Sequence, residues 1–388
     1  MSATVPAAAA TRPARLLHVL PSFALGGAQR RAVDLANAFG GRQTHTVLAL
    51  DGDISAGDHL AGSVGIQYRD ISVRSSSGVA VDNLRTLRGL LRAERPDLLV
   101  TYNFGALEAA LANRLRPLCP HLHFEDGFGP DEIGERQLAR RVWLRRVALS
   151  GRSMVVVPSH TLERLALRVW HLRRDQVRHI PNGIDLSRYG PDAAVGPPPA
   201  WWRPGELVVG TIGGLRPEKN HARLLRVFAT LPGNGQPVRL VLVGDGPERQ
   251  PLERLAAELR IADRVVFTGF LADPRPALHA FDIFALSSDT EQMPYGLVEA
   301  MASGLPVVST DVGDVPAMLP PDSRHWAVPV ADEPAFAARL ALLLHDPALR
   351  RESGARNRTH AAARFGLDAM LRRYAGLFDG LMAGAPPR

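Results

Sequence analysis

Two acidic side chains eight positions apart, Glu291 and Glu299, sit in the segment Ser-Ser-Asp-Thr-Glu-Gln-Met-Pro-Tyr-Gly-Leu-Val-Glu-Ala-Met-Ala-Ser-Gly-Leu-Pro at 287–306. The apolar run before it reads as a strand, and a helical pattern begins near Tyr295, so Glu291 falls on the loop and Glu299 in the first helical turns. A carboxylate at Glu299 can accept both hydroxyls of a ribose, while Glu291 reaches further toward a sugar. The backbone amides of Gly296 and Leu297, at the helix start, can receive a phosphate. The ordinary alternative is one capping acid and one solvated acid.

A second constellation surrounds Lys219. All but one of the 46 basic side chains are arginine, and the single lysine lies in Gly-Gly-Leu-Arg-Pro-Glu-Lys-Asn at 213–220. Lysine carries a compact ammonium on a slim stem, suited to phosphate oxygens in a narrow turn. Together with Arg216 it can grip two phosphates of one diphosphate. Two glycine turns add to the set. Gly26 and Gly27 in the stretch 21–29 let backbone approach a ligand at a helix start. Gly244, in Gly-Asp-Gly-Pro-Glu at 244–248, makes a tight turn that by itself is a weak signal.

These loops need elements to position them. Short apolar runs at 16–20, 45–50, 97–102, 121–124 and 153–157 read as strands, with helical patterns at 28–39, 81–95 and 105–115 between them. The alternation resumes with strands at 207–212, 239–243, 265–268, 282–286 and 306–309, and helical patterns at 334–345 and 367–382 close the chain. Strand and helix in strict series call for a parallel sheet covered on both faces. A proline- and glycine-rich stretch interrupts the series. The expected organisation is a disordered tail at 1–14, an N-terminal domain at 15–186, a linker at 187–205, a second domain at 206–365, and a helix at 366–388 able to pack back on the first domain.

Composition narrows the classes. At 388 residues, with 46% hydrophobic and 22% charged side chains, the chain is expected to form two folded domains. The single cysteine, Cys119, forbids an internal disulfide and fits a reducing compartment. No stretch is long and apolar enough for a membrane-spanning helix, and the start lacks the pattern of a signal peptide. The net charge of +7 comes from the first half, where residues 1–185 hold 24 arginines against 17 acids. Arg136, Arg140, Arg141, Arg145 and Arg146 interleave with Val142, Trp143, Leu144 and Val147, a pattern that fits an anionic membrane surface or a packed helix with a solvated arginine face. Nucleic acid is disfavoured, because no aromatic-interleaved strand or helix-turn-helix pattern accompanies the charge.

Taken together, the segments 26–30, 180–185, 213–220, 243–247, 267–269 and 291–308 resemble, in order, the landmarks of the family 4 glycosyltransferases. The resemblance implies a GT-B fold, two Rossmann-like doubly wound α/β domains facing a central cleft. It implies that Glu299 binds the donor ribose, Glu291 contacts the donor sugar, and Lys219 with glycine-loop amides holds the diphosphate. It also implies retention of configuration and no required metal or other cofactor, the nucleotide sugar being a co-substrate. Two positions depart from the pattern. The family's diphosphate arginine falls at Gly214, which leaves Arg216 as a displaced substitute. Its first-domain histidine falls at about Asp126, in His-Phe-Glu-Asp-Gly-Phe-Gly at 123–129, so Asp126 or Glu125 becomes the candidate for hydroxyl contacts there, with a loop-capping role for Asp126 as the alternative. His121 and His123 read as strand residues.

The expected function is a retaining, metal-independent hexosyltransferase acting on a glycan or lipid-linked acceptor in envelope or exopolysaccharide synthesis, in the cytoplasm or peripherally on the inner membrane face. A sugar-nucleotide 2-epimerase and a non-catalytic sugar-nucleotide sensor or scaffold are the alternatives. A nicotinamide oxidoreductase is disfavoured by the lack of a full glycine fingerprint followed by a ribose acid.

Overall fold

A strand such as Leu98–Tyr102, buried at every position, needs cover on both faces, which only a parallel sheet flanked by helices supplies. The computed structural model describes residues 12–24, 26–71, 79–128, 132, 137–191, 193–232 and 235–383. They divide into two compact units, one running to Asn182 and resuming at Asp368, the other spanning Gly183–Leu367.

The first unit carries seven parallel strands: β1 (Ala14–Leu20), β2 (Gln43–Ala49), β3 (Gly65–Tyr68), β4 (Leu98–Tyr102), β5 (His121–Phe124), β6 (Ser153–Val157) and β7 (Val177–His179), in the order β3-β2-β1-β4-β5-β6-β7. The second carries six: β8 (Leu207–Ile212), β9 (Val238–Val243), β10 (Val265–Gly269), β11 (Ile283–Leu286), β12 (Val307–Thr310) and β13 (Ala327–Val328), in the order β10-β9-β8-β11-β12-β13. Both are doubly wound α/β sheets. In each, the order reverses beside the first strand, between β1 and β4 and between β8 and β11, and ligands bind at such switch points beyond the carboxyl ends of the strands. The sequence pattern missed β3, β7 and β13. All three are short edge strands, and Gly-Ile-Gln-Tyr and Val-Arg-His carry no apolar run because an edge needs less cover.

The stretch 187–205, read from the sequence as a linker, belongs to the second unit, with Asp192 outside the described residues. Tyr189 is 2% exposed in that unit's core, and Trp201 and Trp202 pack against it, because large rings gain more from burial than from spanning a gap. Most of the expected tail, 1–11, lies outside the described residues. Its end does not behave as a tail: β1 begins at Ala14, and Arg12 makes two hydrogen bonds to Asp97 at 2.9 and 2.8 Å. From Asp368 the closing helix, Leu367–Met382, counts with the first unit, where Phe378 meets Phe39 edge-on at 5.7 Å and Tyr374 lies 5.8 Å from Phe124.

The first sheet is polar in two places inside. On one face His18 bridges Tyr102 Oη at 3.0 Å and His45 Nδ1 at 2.9 Å. On the other, Thr101 Oγ1 lies 2.8 Å from both His121 Nε2 and His123 Nδ1, and His121 Nδ1 lies 2.8 Å from Ser153 Oγ. Burial disfavours the imidazolium, so His45 is pushed down to about 4 and His121 to about 3. The folded state therefore binds fewer protons at these sites than the unfolded chain once the pH falls below the ordinary value of 6.5. Each should remove about 1.4 kcal/mol of stability per pH unit from there down to its folded value. Urea midpoints should fall steadily between pH 7 and pH 5, and a midpoint that stays flat over that range would contradict the buried neutral histidines.

Candidate functional site

The loops at the second unit's switch point carry both constellations read from the sequence. Lys219 follows β8, Glu291 follows β11, and the two meet: Lys219 Nζ is 2.6 Å from Glu291 Oε1, with the side chains 24% and 8% exposed. Ser288 Oγ donates to the same oxygen at 2.7 Å, and Thr310 Oγ1 fixes Ser288 by donating to its carbonyl at 2.6 Å. The glutamate's own backbone is pinned by Gly313, whose φ is 55° and where any Cβ would stand 1.9 Å from the Glu291 carbonyl oxygen. Only glycine fits there.

A second layer clamps the two loops together. Asp289 accepts from Arg223 Nη2 at 2.7 Å and from Asn220 Nδ2 at 3.0 and 3.1 Å, and its amide donates to the Glu218 carbonyl at 2.9 Å. Arg223 Nη1 donates to the Ser287 carbonyl at 2.6 Å, and Ser287 Oγ donates to the carbonyls of Lys219 and Asn220. Asn220 takes φ 42° and caps the helix His221–Thr230 through its side chain, accepting from the Arg223 amide. Sequence reading passed over Asp289 and Arg223. Nothing local shows that the Asn220 amide reaches across 69 positions to Asp289.

Glu299 lies in the helix Tyr295–Ala302 and is 3% exposed. Tyr189 Oη donates to its Oε1 at 2.8 Å. That partner comes from the stretch taken for a linker, which is why it escaped notice. Gly296 and Leu297 occupy the first turn of the same helix. Gly244 takes φ 140°, and a Cβ there would meet the Gly213 carbonyl oxygen at 1.9 Å, so the turn after β9 is fitted against the start of the lysine loop. Arg216 is exposed, and a Cβ on Gly214 would stand 3.3 Å from its Nε, so its side chain folds over the glycine. Among the described residues, no three His, Cys, Asp or Glu side chains converge on these loops.

In the first unit, Gly26 precedes the helix Gly27–Phe39, with Leu25 outside the described residues. This helix contributes Arg31, 1% exposed, which binds Asp126 through Nη1 at 2.6 Å and Nη2 at 2.8 Å and lies 4.5 Å over the Phe124 ring. The glycine turn and Asp126 are thus brought together, but both carboxylate oxygens are committed to a guanidinium, and the Asp126 amide donates to Asn103 Oδ1 at 2.8 Å. Asn103 sits at φ 54°, ψ −179°, a conformation that costs about 1–3 kcal/mol.

Glu125 is fully buried, not open to a ligand. Burial would raise its carboxyl, yet the Arg145 charge and the His123 hydrogen bond hold it below the usual range. Arg145 in turn binds Glu132 through two nitrogens and lies 5.1 Å from each of the Phe104, Phe128 and Trp170 rings. This corrects the basic face expected on the helix Ala139–Leu149. Two buried carboxylates draw Arg145 inward, Arg146 donates to the Val169 carbonyl, and Arg136 lies outside the described residues. Arg140 is exposed beside Trp143, which is 62% exposed.

Two family models match this chain, one described as Glycosyltransferase Family 4 over residues 25–188 and one as Glycosyl transferases group 1 over residues 201–360. The chain belongs to the family 4 glycosyltransferases. Putative glycosyltransferase EpsF of Bacillus subtilis is 27% identical over 311 residues, 76% of this chain and 79% of that one. The lipopolysaccharide core biosynthesis glycosyltransferase LpsE of Rhizobium meliloti is 32% identical over 167 residues, 43% of this chain and about half of that one, at 48%. In three dimensions the enzyme is similar to Anabaena Alr3699/HepE, crystallised with UDP and glucose, with a TM-score of 0.77 at 19% identity over 95% of this chain and 100% of that one. That likeness shows the fold, two Rossmann-like domains of the GT-B type. Among the described residues, no helix is long and apolar enough to cross a membrane.

The bidentate pair gives Asp126 a structural role that mutation can weigh. Asp126→Ala leaves a buried guanidinium uncompensated and should cost the transferase about 3–5 kcal/mol, read as a drop in the urea midpoint. The double variant Arg31→Met, Asp126→Leu should recover much of that loss. A single-variant loss below about 1 kcal/mol would show the pair to be dispensable to the fold.

Proposed function

We propose that this transferase moves a sugar, with retention of configuration, from a nucleoside diphosphate sugar to a glycan or lipid-linked acceptor in envelope or exopolysaccharide synthesis. The observation that carries the reading is the 2.6 Å pair between Lys219 and Glu291, the lysine a phosphate-type cation and the glutamate a hydroxyl acceptor. When a donor arrives, the ammonium exchanges its carboxylate partner for diphosphate oxygens. The carboxylate, still held by Ser288, turns to sugar hydroxyls. Glu299 accepts the ribose hydroxyls, with Tyr189 fixing one of its oxygens. Departing diphosphate charge is offset by Lys219, Arg216 and the amides of Gly296 and Leu297, a preorganised set that needs no metal. The UDP in the HepE crystals and the lipopolysaccharide role in the name of LpsE support the donor and acceptor classes. Trp143 and Arg140, exposed side by side, suit an acceptor held at an anionic surface.

A second reading has one observation behind it. Asp126, at the position of the family's histidine, is locked by Arg31, which fits a member that binds donor without transferring it. Thermal shifts against UDP, GDP, ADP and their sugar conjugates, followed by transfer assays, separate the two. Binding with turnover supports transfer, binding with neither hydrolysis nor transfer supports the sensor, and no shift with any of them removes both. In the transfer case Lys219→Ala should weaken donor binding about 10- to 100-fold, the scale of lost charge-assisted hydrogen bonds. Glu291→Gln should cut transfer while bare nucleoside diphosphate still binds. Loss of nucleotide binding in Glu291→Gln would move the sugar contact elsewhere.

A further inference from the structure

Three side chains of the first unit, outside every loop considered above, form a set with metal-ligand chemistry. His160 and Glu163 stand one turn apart on the helix His160–Arg168, and His179 ends the neighbouring strand β7. One ligand atom from each lies within 4.8 Å of the other two. His160 Nδ1 is 3.3 Å from Glu163 Oε2, and the two imidazole centroids are 3.9 Å apart. We propose that His160, Glu163 and His179 form a binding site for a zinc-class divalent cation, with a fourth position left to water.

The spacing argues for it first. A cation held at about 2.0–2.1 Å by nitrogen and oxygen ligands in tetrahedral geometry sets neighbouring ligand atoms roughly 3.3 Å apart. The His160 to Glu163 separation already has that length. It is longer than the ~2.7–2.9 Å of a strong charge-assisted hydrogen bond.

The surroundings argue for it next. Metal-binding imidazoles usually donate their other ring nitrogen to a carbonyl or carboxylate, and binding carboxylates are themselves hydrogen-bonded. His179 Nε2 lies 3.0 Å from the Pro158 carbonyl. A neutral imidazole that donates there carries its lone pair on Nδ1. Arg174 Nη1 holds the outer oxygen of Glu163 at 2.5 Å, which keeps Oε2 turned to the imidazoles. The Arg174 charge opposes a dication, but its side chain is 72% exposed, where solvent and salt screen it.

Two nitrogens and one carboxylate oxygen suit zinc, cobalt or nickel better than magnesium. A bound cation would staple the start of the helix to the end of β7, three residues before Asn182, which accepts from Arg31. The site is independent of the transfer reading, and the cation takes no part in that chemistry.

The full-length protein, stripped with chelator and dialysed, is titrated with zinc against a chromogenic competitor, and its thermal unfolding is followed with and without zinc and with magnesium. Wild type should take up one equivalent, unfold at a higher temperature with zinc but not with magnesium, and give visible d–d bands with cobalt. His160→Gln, an exposed position that leaves the fold intact, and Glu163→Gln should each weaken zinc binding about tenfold or more and abolish the cobalt bands. Absence of zinc binding in the wild type, or binding unchanged in both variants, overturns the site.

Discussion

The Lys219 to Glu291 ion pair joins two loops that have no reason to meet in sequence, and much of the second unit is arranged around keeping them in register. A doubly wound sheet places β8 beside β11, so the loops after these strands share one end of the sheet. Proximity alone would leave two mobile charges. The Asp289, Arg223 and Asn220 clamp removes that freedom, and Gly313 lets the backbone behind Glu291 pack closer than any side chain allows. The pair itself is only partly buried. It is held tightly by its neighbours, with the lysine side chain 24% and the glutamate 8% exposed.

The first unit uses charge differently. Arg31 binds Asp126, and Arg145 binds Glu125 and Glu132, with the guanidinium groups enclosed and stacked on aromatic rings. An arginine fork satisfies both oxygens of a carboxylate and suits a contact meant to stay closed, whereas an ammonium is a point charge that can change partners. Arg31 and Arg145 close ion pairs inside the fold, whereas Lys219 stays 24% exposed in its pair with Glu291.

The histidines show why residue type alone misleads. Thirteen are present, and those in β1, β2 and β5 sit inside the sheet, where His18 bonds to His45 and Tyr102 and both His121 and His123 bond to Thr101. Their strand positions were visible in the sequence. Their partners were not, because each lies on a different strand.

Local pattern was enough to read most of the strands, the two-domain α/β class and the lysine and glutamate segments, since alternation of apolar runs with helical faces and the spacing of Glu291 and Glu299 are properties of contiguous residues. Lys219 was conspicuous by composition alone. What tertiary structure decided was partnership. Tyr189 reaches Glu299 from a proline-rich stretch that reads as a linker, since burial of its ring depends on a core assembled from distant strands. Asp126 reads as a carboxylate for hydroxyl contacts or a loop cap until Arg31, 95 positions earlier, is seen to bind both its oxygens. Arg145 reads as part of a solvated basic face until two buried acids claim it. In each case the sequence supplied the charge or the ring, and only folding determined whether it would face a ligand or be satisfied inside the protein, because pairing energies depend on contacts that no local spacing encodes.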